Sequence, residues 1–253
     1  MYSKKEVLLL VSGWHHDFGN DKLFLRKLRK KYEVLTFSYP GYKSERLDDK
    51  AMRLKGLANH LNSFIKANIK GGFTFLGFSM GTQVILKYKQ LYNTNQKAIL
   101  IAPSFEPFSQ NVNKIILFFI RFKWIVKLIA IYKPFLIKLL NLALATAEGL
   151  SADNKARLNL YTEAELTKYH ITLKGAFYTL VALLTDFVSP LNYLDTIKIV
   201  YGVNDKLKEA AQANGVHFFE IEKAGHYFFN SEYKVDRFLE VLDTLIYPRP
   251  KAK

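Results

Sequence analysis

The stretch that most constrains this chain runs from Phe73 to Thr82, where the apolar residues Phe73-Thr74-Phe75-Leu76 enter Gly77-Phe78-Ser79-Met80-Gly81. The run reads as a short buried strand. The residues from Gln83 to Tyr92, with Val84, Ile85, Leu86, Tyr88 and Leu91 as their apolar positions, read as a helix. Ser79 is therefore expected on a sharp strand-to-helix turn. Such a turn imposes strained dihedrals on its central residue, and a side chain at Gly77 or Gly81 would collide with the neighbouring strand or helix. The five-residue pattern alone also describes a glycine-bounded loop whose serine caps a helix. Only context can separate the two.

The rest of the chain supplies that context. Short apolar runs alternate with amphipathic stretches, which argues for an α/β fold with a doubly wound, mainly parallel sheet. The candidate strands are Val7 to Val11, Glu33 to Ser38, Phe73 to Leu76, Ala98 to Ile101, Ile197 to Tyr201 and His217 to Ile221, about six in all. Helices are expected over Asp21 to Lys31 and Leu47 to Ala67. With 253 residues, 49% of them hydrophobic, the chain can bury one large core, and no second independent domain is required. The rhythm breaks between Pro103 and Pro190, which implies a helical cap inserted after the fourth strand. Residues 1–103 and 191–253 then form the core and 104–190 the cap, with helices expected over Val112 to Tyr132, Phe135 to Ala147, Lys155 to Lys168 and Ile171 to Leu184.

A serine hydroxyl is a poor nucleophile at neutral pH, so Ser79 needs a general base and the base needs an acid to hold it. The late chain holds both. The strand from Ile197 runs into Gly202-Val203-Asn204-Asp205, and the strand from His217 runs into Ala224-Gly225-His226. In a parallel sheet the turns at Ser79, Asp205 and His226 emerge at one carboxyl edge, where sites of open α/β sheets lie. Glu106, in the loop after the strand Ala98 to Ile101, is an alternative acid. Asp186 and Asp195 are weaker ones.

With its order of serine, acid and histidine, the chain resembles the α/β-hydrolase fold superfamily, with Gly77-Phe78-Ser79-Met80-Gly81 as the nucleophile elbow. The resemblance implies that Ser79 is the nucleophile, His226 the base and Asp205 its acid. It also implies that the backbone amides of Trp14 and Met80 form the oxyanion hole. Ser12-Gly13-Trp14 stands where the family has a His-Gly pair, so Ser12 departs from the pattern. Tyr39-Pro40-Gly41-Tyr42-Lys43-Ser44 resembles the loop after the family's fourth strand, and the family's first two strands have no counterpart here. His15, His16, Phe78 and Tyr227 are expected around the substrate pocket, and Asp17 in a supporting turn.

These features imply a serine hydrolase of carboxylic esters or thioesters with a largely apolar acyl group, working without a cofactor. Two alternatives use the same scaffold: an esterase or thioesterase for substrates tethered to an acidic carrier protein, and a binding protein with a silent triad. The chain has no Cys, and its six histidines form no metal-binding spacing, so no metal site is expected. A net charge of +15 fits an anionic partner such as a carrier protein or membrane surface. Nucleic acid is not expected, since no binding module accompanies the charge and only 8 of the 37 basic residues are Arg. The excess is one-sided: residues 1–103 carry 18 basic against 7 acidic side chains, whereas residues 191–253 carry 9 of each.

The apolar run Val7 to Val11 is too short for the core of a signal peptide, so the expected location is cytoplasmic, with peripheral membrane attachment left open. Between Lys114 and Ala147 lie six basic and no acidic residues among many Ile, Leu and Phe. Charge spacing excludes a membrane span there. On one continuous helix Lys114 and Arg121 would share a face while Lys123 and Lys127 fell on the other, so packing over a substrate tunnel is the expectation preferred to lipid docking.

Overall fold

The computed structural model describes residues 5–14, 16–43, 46–108, 114, 118, 120–132, 136–137, 167 and 170–247. Its centre is a six-stranded sheet of β1 (Val7–Val11), β2 (Glu33–Phe37), β3 (Thr74–Phe78), β4 (Ala98–Ile101), β5 (Ile197–Gly202) and β6 (Phe219–Ile221). The order is β2-β1-β3-β4-β5-β6 and every pair is parallel. Every residue of β3 and β4 is buried, as expected of strands covered on both faces.

Each strand returns through a helix. The helix α1 (Lys22–Lys31) buries Phe24, Leu25 and Leu28 and carries Arg29, Lys30 and Lys31 in its last turn, where cations suit the helix dipole. It packs against the last helix, Glu232–Ile246. On the other face α2 (Leu54–Asn68) packs against α3 (Met80–Tyr92). The apolar residues Leu54, Leu57, Ala58, Leu61 and Ile65 of α2 recur at helical spacing and are buried. A short 3₁₀ turn, Asp49–Met52, precedes α2 where the sequence suggests one longer helix from Leu47.

Between β4 and β5 the chain forms α4 (Lys123–Ile129) and α5 (Leu173–Thr185). The expected helix from Val112 to Tyr132 is broken: Phe122, just before α4, has extended dihedrals (φ −91°, ψ 111°). The expected helices at Phe135 to Ala147 and Lys155 to Lys168 lie largely outside the described residues. The helix α5 is buried along most of its length and is tied to the core at several points. The Thr172 amide donates to the Gly41 carbonyl oxygen at 3.0 Å, and the Gln83 side chain accepts from the Val188 amide at 2.9 Å and donates to the Val188 carbonyl oxygen at 3.2 Å. Two further helices, α6 (Lys208–Ala213) and α7 (Glu232–Ile246), follow β5 and β6.

Candidate active site

Ser79 stands alone between β3 and α3 at φ 49° and ψ −114°, a conformation that an L-residue with a Cβ rarely adopts. The surroundings hold it there. Its amide donates to the Ile101 carbonyl oxygen on β4 at 2.9 Å, and its own carbonyl accepts from the Thr82 amide at 3.0 Å and the Thr82 hydroxyl at 2.6 Å. Thr82 therefore ties the first turn of α3 back to the serine. Gly81 is a steric necessity, since its Cβ would lie 2.1 Å from the Val11 carbonyl oxygen, whereas a Cβ at Gly77 would press 2.5 Å from the tip of the Ile85 side chain, which can turn aside.

At the same edge of the sheet, the loops after β5 and β6 bring two more side chains to Ser79. His226 Nε2 is 3.1 Å from Ser79 Oγ and His226 Nδ1 is 3.1 Å from Asp205 Oδ2. The other oxygen of Asp205, Oδ1, accepts the Leu207 amide at 3.0 Å. The Asp205 side chain is only 2% exposed, against 28% for His226. A buried carboxylate aimed at Nδ1 favours the tautomer with its proton there, which leaves Nε2 to accept from the serine hydroxyl. The two loops are joined by backbone as well. The Asn204 amide donates to the Ala224 carbonyl oxygen at 2.8 Å, and Gly202 has no room for a side chain, since its Cβ would fall 2.3 Å from the Gly225 carbonyl oxygen.

The other candidate acids stand apart from this arrangement. Glu106 is exposed, with its backbone bonded to the Ser104 hydroxyl. Asp186 pairs with Lys87 at 3.3 Å and Asp195 is exposed.

The helix α3 begins at Met80, so the Met80 amide is among the four that an α-helix leaves without an internal partner. The loop carrying Trp14 is anchored through Ser12 rather than through the family's histidine. The fully buried Ser12 accepts the Phe18 amide on its hydroxyl at 2.9 Å and the Tyr39 hydroxyl on its carbonyl oxygen at 2.6 Å. Burial raises the Tyr39 phenol well above its ordinary pKa, so it stays a neutral donor. Trp14 itself donates its indole N–H to the Ala176 carbonyl oxygen on α5 at 2.8 Å, joining this loop to the inserted segment. Asp17 occupies a supporting turn. It accepts from the Gly19 amide at 2.7 Å and the Ser38 hydroxyl at 2.8 Å, and pairs with Lys43 at 3.1 Å.

His15 lies outside the described residues. His16 is 3% exposed and packs edge-on to Phe78 with ring centroids 5.5 Å apart, its Nε2 2.7 Å from Asp21 Oδ2. Tyr227 donates to Asp21 Oδ1 at 3.1 Å, and Phe78 packs with the His226 ring at a centroid separation of 5.2 Å. Asp21 thereby links the loop after β1 to the histidine loop. Nothing local to Asn20-Asp21-Lys22 marks this role, nor that of Tyr39 beneath Ser12. Both depend on elements far away in the chain. Among the described residues no cluster of three or more His, Asp or Glu side chains could hold a metal ion.

The family model of the alpha/beta hydrolase family matches residues 8–241. No curated protein matches the chain in sequence. Among solved structures, a thermophilic esterase from Thermogutta terrifontis superimposes with a TM-score of 0.66 at 14% identity, over 96% of this chain and 90% of the other. An esterase from Exiguobacterium antarcticum gives 0.66 at 18% identity, covering 96% and 92%. The enol-lactonase from Burkholderia xenovorans gives 0.66 at 15% identity, covering 97% and 93%. At such identities these likenesses concern the fold.

Proposed function

We propose that the protein, which belongs to the alpha/beta hydrolase family, is a serine hydrolase of carboxylic esters or thioesters with a largely apolar acyl group. The observation that carries this reading is the position of His226, 3.1 Å from both the Ser79 hydroxyl and the Asp205 carboxylate. Ser79 Oγ forms a bond to the substrate carbonyl carbon as its proton passes to His226 Nε2, and the amides of Trp14 and Met80 receive the negative oxygen. Collapse of this intermediate breaks the bond to the alcohol or thiol, which leaves with the proton held by His226. Water then attacks the acyl-enzyme, giving one proton to His226 and releasing the acid as the proton returns to Ser79.

Each oxyanion donor of this kind supplies about 3 to 4 kcal/mol of transition-state stabilisation. Asp205 keeps the imidazole oriented and balances its charge in both half-reactions. The aromatic rings of Phe78, packed on His226, and of Tyr227 beside it support an apolar acyl group. A fluorophosphonate probe tests the reading: stoichiometric labelling of Ser79, lost in Ser79→Ala, is expected. An unlabelled, folded protein would leave the triad silent and the reading wrong.

A further inference from the structure

The residues around α4 include large apolar side chains that are mostly exposed. Trp124, Leu128, Ile131 and Tyr132 are 63%, 59%, 72% and 64% exposed. This exposure does not come from a loose strand of chain. Val126 and Ala130, four residues apart, are buried together with Ile120, so one side of α4 is seated on the body. Trp124, Lys127 and Leu128, at helical spacing, form the opposite side. The Arg53 guanidinium fastens the approach to α4 by donating to the Arg121 carbonyl oxygen at 2.7 Å and the Thr185 hydroxyl at 2.9 Å, and Lys127 pairs with Asp49.

Charge accompanies the apolar residues. Lys114, Arg121, Lys123 and Lys127 are all exposed, and the sequence places no acidic residue between Lys114 and Ala147. Because Phe122 is extended and α4 starts only at Lys123, these cations need not obey one helical wheel. Lys114 and Arg121 precede the break, so they are not held to the face opposite Lys123 and Lys127 as they would be on one helix from Val112 to Tyr132.

We propose that the α4 face docks on an anionic lipid surface. Trp124, Leu128, Ile131 and Tyr132 enter the headgroup boundary while Arg121 and Lys123 meet lipid phosphates. A lipid surface suits the pattern better than an acidic protein does. Protein interfaces gather apolar groups at the centre and charges at the rim. Here Lys123 and Lys127, one turn apart, form a row beside the row of Trp124 and Leu128 on one short helix, an arrangement that a headgroup layer accommodates because lysine stems can lie along apolar surface with their ends in water. No helix among the described residues is long and apolar enough to cross a membrane, so the contact lies at the surface. The proposal is independent of whether Ser79 hydrolyses esters.

The chain has two tryptophans, Trp14 at 7% and Trp124 at 63% exposure, so Trp124 reports the contact. The full chain, and Ser79→Ala in parallel to exclude turnover of lipid, is mixed with vesicles of phosphatidylcholine and phosphatidylglycerol or of phosphatidylcholine alone. A blue shift of emission and co-sedimentation are expected with the mixed vesicles, and both weaken with salt. The triple variant Trp124→Ser/Leu128→Ser/Ile131→Ser should lower partitioning at least about tenfold, and Arg121→Gln/Lys123→Gln about fivefold per charge removed. Circular dichroism matched to the parent protects these readings against misfolding. The proposal is overturned by equal partitioning to both vesicles, by none, or by partitioning that folded variants retain. It is equally overturned if a soluble acidic protein shifts the Trp124 emission while vesicles do not, or if the face instead mediates self-association that the triple variant abolishes.

Discussion

Gly81 at the start of α3 lies directly under Val11 at the end of β1, so close that a Cβ on Gly81 would be 2.1 Å from the Val11 carbonyl oxygen and 2.6 Å from that of Ser12. This contact brings together the serine turn and the loop carrying Trp14. The two halves of the proposed oxyanion site are thus set by one backbone approach.

Gly81→Ala should consequently destabilise the protein, because the obstructing atoms are backbone and have no rotamer to change. The loss expected is about 3 kcal/mol or more, at the upper end of what overpacking costs. Urea unfolding of the variant would measure it. An unchanged midpoint would mean that the loop and the turn are not so tightly joined.

Asp205→Asn keeps an oxygen able to accept the Leu207 amide, so the fold should survive. The amide cannot balance an imidazolium, and it can bond with the wrong histidine tautomer. For a p-nitrophenyl ester that the parent turns over, kcat should fall by about 10³ to 10⁴ with thermal unfolding little changed. Retention of most activity would assign the acid to another residue, with Glu106 the first to examine.

The bond from the Tyr39 hydroxyl to the Ser12 carbonyl oxygen, at 2.6 Å, lies beneath the loop that carries Trp14. Removing it in Tyr39→Phe leaves a buried acceptor unsatisfied, a loss of about 1 to 3 kcal/mol. If the Trp14 amide acts on the transition state, kcat should fall more than KM rises. Equal effects on the two would reduce Tyr39 to a purely structural role.

Stability should decline in alkali for a traceable reason. Burial raises Tyr39 and Tyr201 well above the usual tyrosine pKa near 10, and Tyr201 donates to the Pro103 carbonyl oxygen at 2.6 Å. Above about pH 10 the unfolded chain loses these protons first, so it binds fewer than the folded chain and the free energy of unfolding falls as pH rises. Each residue contributes at most about 1.4 kcal/mol per pH unit. The double variant Tyr39→Phe/Tyr201→Phe should be less stable at neutral pH but show a shallower alkaline slope, with Tyr32, whose pKa is also raised by burial, still contributing. Denaturant titrations between neutral and alkaline pH would detect the difference.

Much of the framework was legible because it is written in local patterns. Parallel strands buried on both faces appear as short apolar runs, and all six occur where such runs stand, although β3 continues to Phe78 and β6 begins only at Phe219. Gly81 was equally legible, since a sharp turn beside a strand end leaves no room for a Cβ there. Helix limits in the inserted segment were not. An apolar run with scattered lysines has no unique period, and its break at Phe122 follows from packing that local pattern does not express.

The sequence by itself determined the order of serine, acid and histidine and the strands from whose ends they project. Only the tertiary structure decided that His226 meets Ser79 across a separation of 147 residues, that Asp205 and not Glu106 faces the imidazole, and that Asp21 joins His16 to Tyr227. It also decided which side of α4 remains outside. The reason is the same in each case: turn chemistry and apolar period are properties of neighbouring residues, whereas convergence of side chains depends on sheet order and on which helix covers which face.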